Sequence, residues 1–190
     1  MKHIAIFASG TGTNARKIVE HFEHKDDFCV SLVVSNNPAA PVLDMAREKG
    51  IATFVLNREY FYKSEDILKI LNKYSIDFVA LAGFLLLVPG YLVRAFEKRM
   101  VNIHPALLPK YGGKEMYGMK VHRAVCEAGE KESGITIHYV NEHYDEGSTI
   151  FQAKCLLGPG DTPEIIAQKV LQLEHRYFPQ VIEKLLTRDN

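Results

Sequence analysis

Asn102 and His104 stand two residues apart at the end of a short apolar run, Met100-Val-Asn-Ile-His-Pro105. On an extended strand, residues at that spacing project from one face. Pro105 has no amide to donate and stops further pairing. A neutral amide beside an imidazole sets a hydrogen-bond donor next to a proton carrier. That pair suits a carbonyl whose oxygen gains negative charge. The same two residues also suit a strand end that fills its own local hydrogen bonds.

A second stretch, Ser9-Gly-Thr-Gly-Thr-Asn14, lies between an apolar run and a helical pattern. Successive backbone amides at a helix start attract an anion, and glycine lets a phosphate come close. Gly10, Gly12 and Ala15 satisfy the loose dinucleotide pattern, but the second strand ends in Ser35-Asn36-Asn37. No carboxylate stands there to hold a ribose 2′-hydroxyl. No Lys-Ser/Thr follows the loop, so it is not an NTPase phosphate loop. The readings left are a phosphate-binding turn and an ordinary tight turn.

Tyr144-Asp145-Glu146-Gly147 offers a carboxylate at a turn. Alone it reads as a solvated turn. Beside His104, Asp145 would raise and orient the imidazole, forming an acid–base unit with Asn102 as amide donor. The remaining histidines lack metal-ligand spacing, and no HExxH or Cys/His cluster occurs, so no metal is expected. No serine has a nucleophile-elbow context. Glu174-His175 falls on a long helical pattern and reads first as a polar face.

The elements needed to position these groups follow in order. Apolar runs predict strands at His3–Ala8, Phe28–Ser35, Ala52–Leu56, Asp77–Ala82 and Met100–Ile103. Helical patterns alternate with them: Asn14–His24, Val42–Lys49, Ser64 to about Tyr74, and from Pro89-Gly90 to about Glu97. A loop from His104 to about Met119 is long enough to suggest function. A helix at Lys120–Ala128, strands at Gly134–Val140 and Thr149–Leu157, and a helix from Thr162-Pro163 to the C-terminus complete the chain. Asn141–Gly147 reads as a hairpin-like return. The expected fold is α/β: an open, Rossmann-like, mainly parallel sheet flanked by helices, with an antiparallel C-terminal portion. Ligands in such sheets bind at the carboxyl ends of strands. Ser9–Asn14, Gly83–Val88, Asn102–His104 and Asn141–Gly147 all fall there.

The 190 residues fit one domain, 1–190, with a nucleotide-side half to about residue 100 and a catalytic half from about 101. Lys plus Arg and Asp plus Glu number 23 each, which argues against non-specific nucleic-acid binding. Cys29, Cys126 and Cys155 form no CxxC and read as free thiols of a reducing compartment. The N-terminal apolar run is too short for a signal peptide, and no run approaches a membrane span. A soluble cytoplasmic protein, monomer or homodimer, is expected.

Five stretches together resemble the phosphoribosylglycinamide formyltransferase family. They are Ser9–Asn14, Leu81-Ala-Gly-Phe84, Asn102-Ile-His-Pro-Ala-Leu-Leu-Pro-Lys-Tyr111, Asp145-Glu-Gly147 and Glu174-His175. The likeness runs along essentially the whole chain. It implies formyl transfer from 10-formyltetrahydrofolate, a co-substrate, to the amine of glycinamide ribonucleotide in purine biosynthesis, through a tetrahedral intermediate. By resemblance, Asn102 and His104 stabilise the oxyanion, His104 donates the proton and Asp145 tunes it. Gly12, Thr13 and Asn14 would hold the ribonucleotide phosphate, and Glu174 the glycinamide or ribose side. The folate would lie along Leu85, Leu86, Leu87 and Val88, near Asn102, and along Asn141, Glu142, His143, Tyr144 and Asp145. Lys63 or Ser64 falls where the family places an arginine near the folate tail.

Departures from the family pattern are Ala106 for a common Ser, Leu86 for a polar or basic residue, and a longer 112–119 loop. The competing reaction is formyltetrahydrofolate hydrolysis by the same Asn/His/Asp unit. Family hydrolases carry an N-terminal regulatory domain, and methionyl-tRNA formyltransferases a C-terminal one. This chain begins at the first strand and ends after the long helix, which favours the ribonucleotide branch. A binding module using only the Gly-rich turn would leave Asn102, His104 and Asp145 unexplained.

Overall fold

The computed structural model describes residues 1–188. Its centre is one seven-stranded sheet in the order β3-β2-β1-β4-β5-β6-β7. β1 (Lys2–Phe7), β2 (Phe28–Ser35), β3 (Ala52–Val55), β4 (Ile76–Leu81) and β5 (Met100–His104) are parallel. β6 (Glu132–Tyr139) and β7 (Thr149–Leu156) add on antiparallel, as the switch from continuous to alternating apolar runs foretells.

The helices are α1 (Thr13–Phe22), α2 (Pro41–Glu48), α3 (Arg58–Lys63), α4 (Asp66–Lys73), α5 (Gly90–Ala95), α6 (Met119–Glu127) and α7 (Pro163–Arg188). The helix expected from Thr162-Pro163 to the C-terminus is α7 as far as Arg188; residues 189 and 190 lie outside the described part. α3 is an addition to the expected elements. It starts at Asn57, whose side chain accepts the amides of Glu59 and Tyr60 and so satisfies two otherwise unpaired donors. Its six residues are too few to show a helical period.

Central strands are buried on both faces. Ile4, Ile6 and Ala8 join the core under α1, α2, α6 and α7, whereas Ala5 and Phe7 join the core under α3, α4 and α5. The strand order reverses between β1 and β4, so the loops leaving these neighbours diverge and open a crevice at the carboxyl end of the sheet. Among the described residues, no helix is long and apolar enough to cross a membrane.

Candidate active site

Strand register assembles the catalytic candidates. In the β5–β6 ladder Asn102 faces His138 and His104 faces Thr136. Side chains opposite one another on one face are in contact range. The Asn102 Nδ2 group lies 3.1 Å from His138 Nε2 and donates to Asp145 Oδ1 at 3.3 Å. His138 Nδ1 is 2.9 Å from the Tyr139 carbonyl. A carbonyl only accepts, so Nδ1 carries the proton and Nε2 accepts from Asn102. Both N–H groups of Asn102 therefore point at neighbours rather than outward.

His104 is 3% exposed, and both of its ring nitrogens face acceptors. Nδ1 is 3.3 Å from Asp145 Oδ2, and Nε2 is 2.7 Å from the carbonyl of Tyr111. Asp145 also accepts the Gly113 amide at 3.0 Å and lies 3.6 Å from His138 Nε2. The return loop thus delivers its carboxylate to the middle of the cluster. It does so with Asp145 in the left-handed region, at φ 57, a conformation that aspartate tolerates better than most residues. Gly147 completes the return. A Cβ there would stand 1.6 Å from the Tyr139 carbonyl oxygen, so only glycine lets the loop close on β6.

Burial lowers the His104 pKa below the ordinary imidazole value; the Asp145 charge and the Tyr111 carbonyl oppose it without cancelling it. Burial raises the Asp145 carboxyl, but His138, His104 and the Gly113 amide together outweigh that, and its pKa lies below the usual range. The resting unit is therefore a carboxylate beside a neutral imidazole. A neutral ring has one N–H for two acceptors, so one of its two contacts is exchangeable. Behind it, His122 of α6 is buried with Nδ1 unpartnered, and burial followed by the nearby His104 lowers its pKa as well.

The Gly-rich turn runs directly into α1. Gly12 is its N-cap at φ 74, and no side chain caps the helix, so its first amides stay open to an anion. Thr13 is exposed at the first position. Asn14 donates to Glu174 Oε2 at 2.7 Å, tying the turn to α7. Asn14 Oδ1 is buried without a partner. Burial pushes the Glu174 carboxyl up, and Asn14 offsets only part of that. Glu174 is thus a buried carboxylate at the turn rather than part of a solvated polar face.

The segment after Gly83 leaves β4 at the same, carboxyl end of the sheet. Leu85 is half exposed, Leu86 and Leu87 are partly buried, and Val88 is buried in the core with only its backbone to offer. The Leu87 carbonyl accepts from the Tyr62 hydroxyl at 3.1 Å. In the return loop, Asn141 Oδ1 accepts the His143 amide at 3.0 Å, Glu142 pairs with Arg94 at 3.0 Å, and Tyr144 is exposed. Lys63 is directed elsewhere: it pairs with Glu59 at 2.7 Å along the exposed face of α3. Ser64 caps that helix end, bonding the Tyr60 carbonyl and Asp66. An open cleft of about 510 Å³ lies against Asp145 between 108–113 and 144–149.

Residues 2–182 match the family described as formyl transferase. The chain belongs to that family. It is 43% identical over 187 residues to a chloroplastic phosphoribosylglycinamide formyltransferase of Arabidopsis thaliana, covering 95% of this chain and 64% of that protein. The chain thus spans less than two thirds of the length of its plant relative. It is 35% identical to phosphoribosylglycinamide formyltransferase of Bacillus subtilis, covering 100% of this chain and 97% of that one. The crystal structure of the Bacillus halodurans protein of the same name superposes with a TM-score of 0.89 at 35% identity, over 100% of this chain and 97% of that one.

In this formyl transferase the sequence reading brings Asn102, His104 and Asp145 together and misses two partners. His138 had a signal: it stands two residues from Thr136 on an alternating strand, the spacing that marked Asn102 and His104. The Tyr111 carbonyl had none, because a backbone group in a loop leaves no trace in residue type.

Proposed function

We propose that the chain transfers the formyl group of 10-formyltetrahydrofolate to the primary amine of glycinamide ribonucleotide. The observation that carries this is the Asn102–His104–Asp145–His138 cluster at the same, carboxyl end of the parallel strands as an uncapped helix start with a buried carboxyl group beside it. The α1 amides suit the ribonucleotide phosphate. The unpartnered Asn14 Oδ1 and Glu174 suit donors such as ribose hydroxyls or the glycinamide amine. The partly apolar 85–88 segment and the 141–145 return suit a flat pterin read by backbone groups.

The amine nitrogen attacks the formyl carbon, and the carbonyl electrons move to oxygen. Collapse of the tetrahedral intermediate breaks the bond to folate N10. Neutral His104 takes the proton that the amine must lose and returns it to N10; Asp145 stabilises the imidazolium formed between these steps. Nε2 is the nitrogen away from Asp145, so this exchange runs through Nε2 once the Tyr111 carbonyl has moved aside. One Asn102 N–H turns from its resting partner to the oxyanion, with His138 keeping the amide in register.

The test is loss of the formyl group from 10-formyltetrahydrofolate with and without glycinamide ribonucleotide. Loss that requires the amine is expected. Equal loss without it indicates hydrolysis, and no loss in either case defeats the reading.

A further inference from the structure

Ser9 follows β1 where the strand order reverses, and its polar groups reach two separate segments, the 83–85 stretch after β4 and Asn36 after β2. Its amide donates to the Gly83 carbonyl at 3.0 Å, extending the β1–β4 ladder by one rung. Its hydroxyl donates to Asn36 Oδ1 at 2.5 Å, and the same oxygen accepts the Leu85 amide at 3.0 Å. The side chain is buried, with Ser9 8% exposed. Asn36 follows β2 directly, where a nicotinamide-binding relative would carry a carboxylate. Here that position orients a serine hydroxyl.

Besides the Ser9 amide–Gly83 rung, the two ligand loops are tied by one side-chain oxygen, Ser9 Oγ. Ser9 opens the turn that ends in the α1 amides, and Leu85, half exposed, opens the 85–88 segment beside it. The opposite side of the turn is also fixed: Val42 donates to the Gly10 carbonyl at 3.3 Å, and Val42 packs against Gly12. A shift of the turn toward a phosphate has no slack on that side, so it is passed to the Leu85 amide through Ser9 Oγ.

We infer that Ser9 is a positioning residue that couples the two substrate sites, so that ribonucleotide bound at the 9–14 turn tightens folate at the 85–88 segment, and the reverse. This rests on the formyl-transfer reading. Ligand that orders one loop lowers the cost of ordering the other, and the coupling is equal in both directions. A single buried hydrogen bond sets its size at about 3- to 10-fold in affinity.

The experiment is a calorimetric titration with tetrahydrofolate, which carries no formyl group to transfer, in the absence and presence of saturating glycinamide ribonucleotide. The unaltered protein is expected to bind tetrahydrofolate about 3- to 10-fold more tightly with ribonucleotide present. Ser9→Ala is expected to bind each ligand alone and to lose that tightening; Ser9→Thr, which keeps the hydroxyl, is expected to retain it. Asn36→Ala removes the acceptor that aims the hydroxyl and is expected to reduce the tightening. Full tightening in Ser9→Ala overturns the inference, as does its absence in the unaltered protein when both ligands bind. If Ser9→Ala does not fold, undiminished tightening in Asn36→Ala overturns it. Failure of the unaltered protein to bind either ligand is a different result: it overturns the formyl-transfer reading, and this inference with it.

Discussion

Replacing Asp145 with asparagine removes one charge and leaves the size of the side chain unchanged. The carboxylate lies 3.3 Å from His104 Nδ1. At that separation, with an effective dielectric constant of about 20, the attraction to an imidazolium has a ceiling of about 5 kcal/mol. Pairs of this kind keep about 1 to 3 pKa units of it, or about 1.4 to 4 kcal/mol. His104 is neutral at rest and charged only while it carries the proton, so the loss falls on the transition state. Turnover should fall about 10- to 1000-fold, with KM for either substrate changed much less. The pH profile gives a second reading. Burial holds the His104 pKa below the ordinary imidazole value, and Asp145 pulls it upward. The acid limb of kcat/KM for the unaltered enzyme should therefore lie below the ordinary imidazole value, and that of Asp145→Asn lower still. Initial rates of formyl transfer from about pH 5 to 8 measure both. An unchanged turnover, or an acid limb that moves upward in the variant, would refute the reasoning.

His138→Ala removes the acceptor of one Asn102 N–H; kcat should fall about 3- to 10-fold with little change in KM, in the range of one hydrogen bond, and steady-state kinetics check it. Glu174→Gln keeps the shape beside Asn14 but replaces one carboxyl oxygen with an amide; KM for glycinamide ribonucleotide should rise about 3- to 10-fold, as for loss of one hydrogen bond, while KM for the folate stays within about threefold. Gly12→Ala places a Cβ 2.3 Å from Val42 Cγ2 at a positive φ; thermal or urea unfolding should show a loss of about 2 to 4 kcal/mol from overpacking and backbone strain together.

Much of this arrangement is legible in residue order. Continuous apolar runs mark β1, β2, β4 and β5 because both faces of those strands are covered, and the alternation of β6 marks the antiparallel finish. The spacing of Asn102 and His104 gives their shared face, and the Gly-rich turn gives the start of α1. Three features are less legible, each for a physical reason. α3 is held by the Asn57 cap and is too short for a periodicity. Register between β5 and β6 is a long-range property, so nothing near Asn102 shows that its amide faces His138. Lys63 fits a ligand anchor by position in the chain, but the i,i+4 spacing to Glu59 on a helix supplies a nearer partner.

The most direct measurement follows the formyl carbon itself. With ¹³C-labelled 10-formyltetrahydrofolate, glycinamide ribonucleotide and the protein, the NMR signal of the formyl carbon should move into the formamide of the ribonucleotide product. His104→Ala, still folded, should leave it on the folate. Label that collects as formate, or that reaches the ribonucleotide at an undiminished rate with His104→Ala, contradicts the account.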